Sequence, residues 1–200
     1  MHNALLSMNM DSAPGPDGFG PAFFRTAWPS IKGEIMRLLE AFFWGQADLE
    51  RLNRSYMVLI PKKQAAVDVD AFRPICLQNC TLKLISKVLT ARLQKEIPKL
   101  ISINQTGFIK GRSITDTFIY ALELIQVCIK RKKPTVVLKL DFAKAFDTVN
   151  WDGLFRILAA RGFGEQWIEW MRALFSTSKS TVLVNNCLGP WINCKRGLRQ

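Results

Sequence analysis

The chain has 200 residues, of which 48% are hydrophobic, 10% aromatic and 22% charged. This length and composition can bury a sizeable core, which predicts one folded domain and excludes an intrinsically disordered segment. The 28 Lys and Arg residues against 16 Asp and Glu residues give a net charge of +12, which favours nucleic acid or an anionic membrane surface as a partner, although a solvated basic surface explains it equally well.

Cysteine and histidine usage argues against two kinds of structural site. The chain has five cysteines with no C-x-x-C pair, and its only histidine is His2. Structural zinc and a disulfide framework are therefore disfavoured. No apolar stretch approaches membrane-spanning length, and the N-terminus lacks the secretory pattern. We expect a soluble, intracellular protein of the nucleus or the cytoplasm, with no membrane partner.

The first half of the chain is predicted to contain a loop, two helices and a strand. Prolines and glycines crowd residues 12–20 and predict a loop. Ser30 is predicted to cap a helix that ends before Gly45, because apolar residues recur at helical spacing between them. The run 56–60, closed by a proline, predicts a buried strand. A second helix is predicted over 81–97, ended by Pro98.

The second half mixes helices and short strands without a regular alternation. Thr115 or Asp116 is predicted to open a helix that ends in the basic run 130–133. Residues 135–140 are rich in β-branched side chains and predict a strand that leads to Asp141. Asn150 is predicted to cap the next helix. A further helix over 165–175 and a hairpin over 181–194 complete a mixed α+β pattern.

Asp141 is the first candidate for chemistry, because a strand that ends in a carboxylate can hold hard oxygen ligands for Mg²⁺ at a sheet edge. Two-metal phosphoryl transfer needs such a carboxylate. A single Asp after a strand is weak evidence by itself, since most such residues are turn residues or helix caps. Asp147 in particular is placed to cap the helix that begins near Trp151.

Six groups of motifs carry a more specific signal. In chain order they are APGPDGF (13–19), LIPKK (59–63), FRPICLQN with KLISKVLTARL (72–93), NQTGFIKGRSITD (104–116), LKLDFAKAFDTV (138–149) and RGLRQ (196–200). Their order resembles that in reverse transcriptases of non-LTR (LINE-type) retrotransposons, and the similarity spans essentially the whole chain. A single motif is a weak signal, whereas six in register make coincidence a poor explanation.

The resemblance implies a metal-binding and nucleotide-binding role for one segment. Asp141 matches the first catalytic aspartate of the palm, which binds both metal ions, and the backbone carbonyl of Phe142 matches a further metal ligand. Phe146 resembles the aromatic residue under the incoming sugar, which excludes a ribose 2′-hydroxyl by its bulk. Outside this motif, Phe146 would be read as an ordinary core residue.

Further residues are implied to contact the deoxynucleoside triphosphate (dNTP) or nucleic acid. Lys62 and Arg73 resemble the fingers residues that grip the triphosphate, and a guanidinium fork suits phosphate oxygens. Gln200 matches a glutamine beside the nucleotide and template. Lys110 and Arg112 belong to a motif near the template path. Solvated turns or strand edges are the ordinary alternatives for Lys62 and Arg73.

The resemblance also implies an architecture and a reaction. The expected fold is α+β, the fingers and incomplete palm of a right-hand polymerase, mostly helical with short antiparallel strands. The chain would be one incomplete domain: an N-terminal extension and fingers over about 1–112, a palm segment over 113–147, and a return to the fingers over 148–200. Its partners would be an RNA template, a DNA primer or target and dNTPs, with two Mg²⁺ ions in the complete enzyme.

One departure from the family pattern matters for activity. The family's second metal-binding element is an aromatic residue, any residue and then Asp-Asp, and this sequence contains no adjacent Asp-Asp pair. We therefore expect little or no polymerase activity from the 200 residues by themselves. Three alternatives remain: a non-catalytic nucleic-acid-binding relic, a group II intron maturase-like or telomerase-like polymerase, and an unrelated basic domain. The sequence does not predict the oligomeric state.

Overall fold

The computed structural model describes residues 1–199 and confirms the α+β class. The helices are α1 (His2–Leu6), α2 (Pro21–Phe43), α3 (Cys80–Leu100), α4 (Ile114–Lys130), α5 (Ala145–Thr148), α6 (Trp151–Ala160) and α7 (Glu165–Ser176), with one 3₁₀ turn over Val69–Ala71. The strands are β1 (Arg54–Pro61), β2 (Phe72–Gln78), β3 (Lys179–Val184), β4 (Cys187–Leu188) and β5 (Ile192–Asn193). The chain divides into two compact units: Met1–Val88 with Lys144–Gln200, and Leu89–Ala143.

The first unit is built on one mixed sheet with the order β2-β1-β3-β4, and β5 also pairs with β3. The β1 and β2 strands form an antiparallel hairpin, in which Met57 lies opposite Cys76. The β1 and β3 strands run parallel, with Met57 opposite Val182, although they lie far apart in the chain. The strand predicted at 56–60 is therefore confirmed, and its parallel partner is a feature that the sequence did not predict.

Two buried clusters hold the helices of this unit in place. The first joins α1, α2 and α3 through Leu5, Met8, Phe24, Trp28, Cys80 and Leu84. In the second, the rings of Phe42 and Phe43 contact Trp170 of α7, whose indole nitrogen donates to the Phe43 carbonyl at 3.1 Å. Burial of large apolar side chains such as these is the main favourable contribution to folding.

The start predicted for α2 is wrong. The helix begins at Pro21, nine residues before Ser30, and Pro29 lies inside it. Proline is well tolerated in the first turn, as at Pro21, because its missing N–H would be unpaired there anyway. The turn that contains Pro29 forms because Phe24 and Trp28 are buried in the first cluster, and their burial offsets the cost of an interior proline.

Two other helix ends differ from the prediction. Pro98 lies within α3, which continues to Leu100, and the Ile101 N–H still bonds to the Ile97 carbonyl. Ser113 caps α4, since its side chain accepts a hydrogen bond from the Thr115 N–H. A serine at this position satisfies a backbone donor that the helix leaves free.

The elements near the C-terminus confirm the prediction. The Asn150 side chain accepts from the Gly153 N–H at 2.8 Å and caps α6, and α7 runs over Glu165–Ser176. Asn185 and Asn186 have φ of 49° and 62°, which is the left-handed pair that a two-residue hairpin turn requires. Asp147 lies in α5 and does not cap α6, so its predicted capping role is wrong.

The strand predicted over residues 135–140 is not formed. This segment of the second unit has no regular secondary structure, and Val136 and Leu138 are 93% and 76% exposed. A β-rich composition is not sufficient for a strand, because the backbone also needs a neighbour to accept and donate its hydrogen bonds. Among the described residues, no strand pairs with 135–140.

Within residues 1–199, no helix is long and apolar enough to cross a membrane.

Cys80 and Cys187 should differ sharply in reactivity. Cys80 is 1% exposed, and burial raises the pKa of its thiol to about 11, whereas Cys187 is exposed on β4. A thiol with this pKa is ionised to about one part in a thousand at pH 8, and only the thiolate is alkylated. Iodoacetamide at pH 8 followed by peptide mass spectrometry should label Cys187 and leave Cys80 unmodified until denaturant is added. Equal labelling of both in the folded chain would contradict this.

Candidate functional site

Two of the predicted triphosphate-binding residues lie near the tip of the β1–β2 hairpin. Arg73 is exposed and lies opposite Ile60 in the strand pairing. Lys62 follows β1, and its ammonium donates to the Asp70 carbonyl at 2.7 Å. The Lys62 N–H donates to the Ala71 carbonyl at 2.8 Å, which continues the pairing one residue past β1. Because partners in an antiparallel pair share a face, and alternate residues along a strand do so too, Lys62 and Arg73 project from the same side of the hairpin. The hairpin therefore presents two cations together.

An ion pair joins the hairpin tip to the segment before α5. The Lys144 ammonium lies 2.9 Å from an Asp70 carboxylate oxygen, and both side chains are exposed. The hydrogen bond to Lys144, followed by its charge, lowers the pKa of Asp70, and the same contacts raise the pKa of Lys144. Exposed pairs of this kind contribute little to stability. This contact orients the turn at the hairpin tip.

The backbone around Phe146 is held against the chain near residue 198. The Leu198 N–H donates to the Phe146 carbonyl at 2.7 Å, and the Gly197 N–H donates to the Val149 carbonyl at 2.8 Å. A Cβ at position 197 would lie 2.9 Å from the Asp147 carbonyl oxygen, and φ there is +80°. Glycine is therefore required for this approach. The Phe146 side chain itself is 39% exposed, so its ring is partly accessible while its backbone is held in place.

Asn53 connects this C-terminal segment to the sheet. Its side chain is fully buried, and its amide nitrogen donates to the Leu174 carbonyl at 2.6 Å and to the Thr177 hydroxyl at 2.9 Å. Arg199 donates to the Asn53 side-chain oxygen, and at 3.0 Å to the backbone carbonyls of Asn53 and Lys179. Burial lowers the pKa of Arg199, which the Cys194 and Cys76 thiols partly offset. Asn53 thus holds the residue that immediately precedes position 200.

A cavity of about 370 Å³ lies over one face of the sheet in the first unit. We call this face, which carries Asn53, Met57, Cys76 and Gln78, the inner face. Its cover comes from α3, α6, α7 and the segment before residue 200, and includes Leu82, Trp151, Met171, Phe175 and Leu198. Asp147, Arg196 and Arg199 are charged groups in its lining. The cavity is therefore mainly apolar with a few polar groups, a common composition for a ligand site.

The predicted metal-binding residues belong to the second unit. Asp141 and Phe142 lie in the irregular segment after α4, and Phe142 is 77% exposed. Residues 1–199 contain no group of three or more His, Cys, Asp or Glu side chains that could hold a metal ion. Mg²⁺ prefers about six oxygen ligands, and these two residues supply at most one carboxylate and one carbonyl. They therefore do not fit a complete metal site on their own.

The predicted nucleic-acid contacts also lie in the second unit. The Arg112 guanidinium donates to the Ser102 and Gln105 carbonyls at 2.6 Å each, and so holds the loop between α3 and α4. Lys110 is exposed in the same loop. This geometry favours a loop-organising role for Arg112. Asp141 belongs to the second unit, whereas Arg73 and Phe146 belong to the first. The nucleotide-binding role that the resemblance implies for these three residues stays a prediction. Gln200 lies outside the described residues.

A family model described as reverse transcriptase (RNA-dependent DNA polymerase) matches residues 60–200. The matched region contains the hairpin tip, Asp141, Phe146 and the segment held by Asn53. The chain belongs to the reverse transcriptase family. The alternative of an unrelated basic domain is therefore wrong.

Relatives of this reverse transcriptase chain come from transposable elements. It is 28% identical over 201 residues to the transposon TX1 uncharacterized 149 kDa protein of Xenopus laevis, covering 100% of this chain and 15% of the relative. It is 26% identical over 189 residues to the Pol polyprotein of element R2 of Nasonia vitripennis, covering 94% and 18%. Identity to that of element R2DM of Drosophila melanogaster is 24% over 168 residues, covering 82% and 15%.

These matches confirm the resemblance to non-LTR retrotransposon reverse transcriptases. The chain spans less than a fifth of the length of each of these three relatives. Reverse transcriptases act on nucleic acid and use divalent metal ions. This agrees with the expectation that the partners include nucleic acid and that the cofactor is a divalent metal ion. The sequence reasoning missed Asn53, whose only signal is a polar residue at the entrance to an apolar strand.

Proposed function

We propose that this chain supplies the fingers and part of the palm of an RNA-directed DNA polymerase. The reaction is attack of a primer 3′-hydroxyl on the α-phosphate of a dNTP, directed by an RNA template, with pyrophosphate leaving. The observation that carries this proposal is the family match over residues 60–200, which covers the tip of the β1–β2 hairpin, the segment around Asp141 and the chain up to position 200.

The hairpin tip supports a role in triphosphate binding. Lys62 and Arg73 project from the same side of the β1–β2 hairpin, and both are exposed. A guanidinium can donate two parallel hydrogen bonds to phosphate oxygens, and an ammonium adds a compact positive charge. In our proposal these groups neutralise and orient the triphosphate, so that the α-phosphate is positioned for attack.

Phe146 is proposed to lie beneath the sugar of the incoming nucleotide. Its backbone is fixed by the hydrogen bond from Leu198, and its ring is partly exposed, as a steric selector requires. Gln200 is proposed to lie beside the nucleotide and template. The Asn53–Arg199 contacts support this proposal because they fix the residue directly before it.

Asp141 and the Phe142 carbonyl are proposed as metal ligands, with Mg²⁺ as the ion and two ions in the complete enzyme. When bound, such ions stabilise charge on the attacking and leaving oxygens. The described residues do not complete a two-ion site. The 200 residues by themselves are therefore proposed to bind nucleic acid without extending a primer.

Primer extension tests this proposal directly. The purified chain is mixed with an RNA template annealed to a labelled DNA primer, Mg²⁺ and all four dNTPs, and products are resolved on a gel. We expect no primer extension, but we expect the chain to bind the template–primer. The affinity should fall steeply with salt, because a chain with a net charge of +12 releases counterions from the nucleic acid when it binds. The Asp141→Asn variant should bind with unchanged affinity.

Two results would contradict the proposal in different ways. Robust incorporation by the chain would show that 200 residues suffice for catalysis, and would overturn the proposed inactivity. Failure to retain the template–primer at low salt would overturn the role in nucleic-acid synthesis. A variant with neutral residues in place of Lys62 and Arg73, assayed in the same way, tests whether the hairpin tip takes part in binding.

A further inference from the structure

The outer face of the sheet, opposite the cavity, carries a cluster that the proposed reaction does not use. On β1 this face holds Arg54, Tyr56, Val58 and Ile60, which alternate with the cavity-lining residues. In strand register, Tyr56 lies beside Thr181 of β3. Trp191 immediately precedes Ile192, which pairs with Ser180, so its side chain projects from the outer face next to Thr181. One row of the sheet therefore brings a tyrosine, a threonine and a tryptophan together.

The indole of Trp191 stacks with the ring of Tyr56 in this row. Its ring centroid is 6.3 Å from that of Tyr56, and the two planes differ by 27°. The Arg54 guanidinium carbon is 5.2 Å from the same indole centroid. Thr181 is only 1% exposed and its hydroxyl donates to the Gly189 carbonyl at 2.7 Å, whereas Trp191 is 42% exposed. The indole is therefore accessible over part of its surface, beside Tyr56 and Arg54.

The charge around the indole favours an anionic, aromatic ligand. The Arg54 guanidinium lies over the ring, and its buried Nε has no hydrogen-bond partner among the described residues. Arg73 projects from the same face, opposite Ile60, which lies about 13 Å along β1 from Tyr56 at 3.3 Å per residue. The nearby Lys179 is paired with Glu50 at 3.1 Å, so part of the local positive charge is neutralised.

We propose that Trp191, supported by Arg54 and Tyr56, is a stacking platform for an unpaired base of single-stranded nucleic acid. The base stacks on the accessible part of the indole, and the adjoining phosphates follow the outer face of the sheet towards Arg73. Aromatic side chains beside cations bind single strands in this way, since every base has a π-face and every nucleotide a phosphate. A duplex hides its base faces and does not fit the platform. This inference rests on the proposed role in nucleic-acid synthesis.

The test compares binding of a fluorescein-labelled 12-nucleotide oligouridylate, by anisotropy at low salt, to four forms of the chain. They are the original chain, Trp191→Leu, Trp191→Phe and Trp44→Ala. Leucine keeps an apolar side chain at this position but cannot stack, whereas phenylalanine retains a π-face. Trp44 is the matched control, because it is a 79% exposed tryptophan at the end of α2.

We expect Trp191→Leu to weaken binding about 10-fold or more, since the loss of one base–aromatic stack is worth about 5- to 150-fold. Trp191→Phe should lose less than about 3-fold, and Trp44→Ala should bind like the original chain. The slope of log affinity against log salt should not change for Trp191→Leu, because no cation is removed. Circular dichroism and thermal unfolding of each variant separate loss of stacking from loss of the fold.

Three outcomes would overturn the platform. Equal affinity of Trp191→Leu and the original chain would show that no base stacks there, while leaving the proposed function intact. Equal weakening by leucine and phenylalanine in folded variants would show that shape and not stacking is required. If the original chain does not bind the oligonucleotide, both the platform and the proposed function fail.

Discussion

Asn53→Ala is expected to lower the free energy of unfolding by about 3 kcal/mol, because it leaves a part-buried cation and a part-buried hydroxyl short of partners. The Asn53 amide contacts the Leu174 carbonyl, the Thr177 hydroxyl and Arg199 at once. Alanine makes none of these contacts and leaves a small cavity in a site that is 0% exposed. Urea unfolding followed by circular dichroism measures the loss.

Asn193→Ala is the matched control for this experiment. Asn193 lies in β5 of the same sheet and is exposed, so its replacement should change stability by less than about 0.5 kcal/mol.

A double-mutant cycle that combines Asn53→Ala with Arg199→Met tests the contact between these two residues. The double variant should be less destabilised than the sum of the two single variants by about 1 kcal/mol or more. Simple additivity would show that Asn53 does not hold Arg199.

Gly15→Ala should be comparably destabilising, by about 3 kcal/mol, because its methyl group would meet backbone atoms that cannot move away. A Cβ at position 15 would lie 2.3 Å from the Asn79 nitrogen and 2.4 Å from the Gln78 carbonyl carbon. Asn79 also accepts from the Asp17 N–H at 3.1 Å and donates to the Leu52 carbonyl at 3.1 Å. The added methyl group would push the loop out of this arrangement.

Gly33→Ala is the control for Gly15→Ala. Gly33 is exposed within α2, and a Cβ there meets nothing within 4 Å. Alanine is favoured over glycine in a helix, so this variant should gain about 0.5–1 kcal/mol. The midpoints of urea unfolding of the two variants, compared with that of the original chain, measure these changes in stability. A Gly15→Ala variant as stable as the original chain would mean that the loop does not pack against Asn79.

The elements that could be predicted from sequence are those whose determinants lie close together in the chain. Asn150 caps α6 through Gly153, three residues away, and the turn at Asn185 depends on adjacent residues. Asn53 instead acts through residues 121 to 146 positions away, which no local pattern reveals. Segment 135–140 was predicted as a strand and is not one. Its composition favours a strand, but no described strand pairs with it.

For the candidate site, the sequence could supply residue types and not their placement. The motif order indicated Lys62 and Arg73, and the structure shows that their strands bring both to one side of a hairpin. The parallel neighbour of β1, the stacking of Trp191 with Tyr56 and the close approach at Gly197 depend on the three-dimensional pairing. Asp141 and its predicted neighbours remain a prediction from the motif alone.

The parallel pairing of β1 with β3 affects how the protein folds as it is made. The Ser55 hydroxyl bonds to the Ser180 hydroxyl at 2.8 Å, and Ser180 is synthesised 125 residues after Ser55. At ordinary translation speeds the ribosome needs on the order of 10 s to add that many residues. During this interval the nascent chain carries β1 with one open edge, which is a surface that holdase chaperones and neighbouring nascent chains can bind.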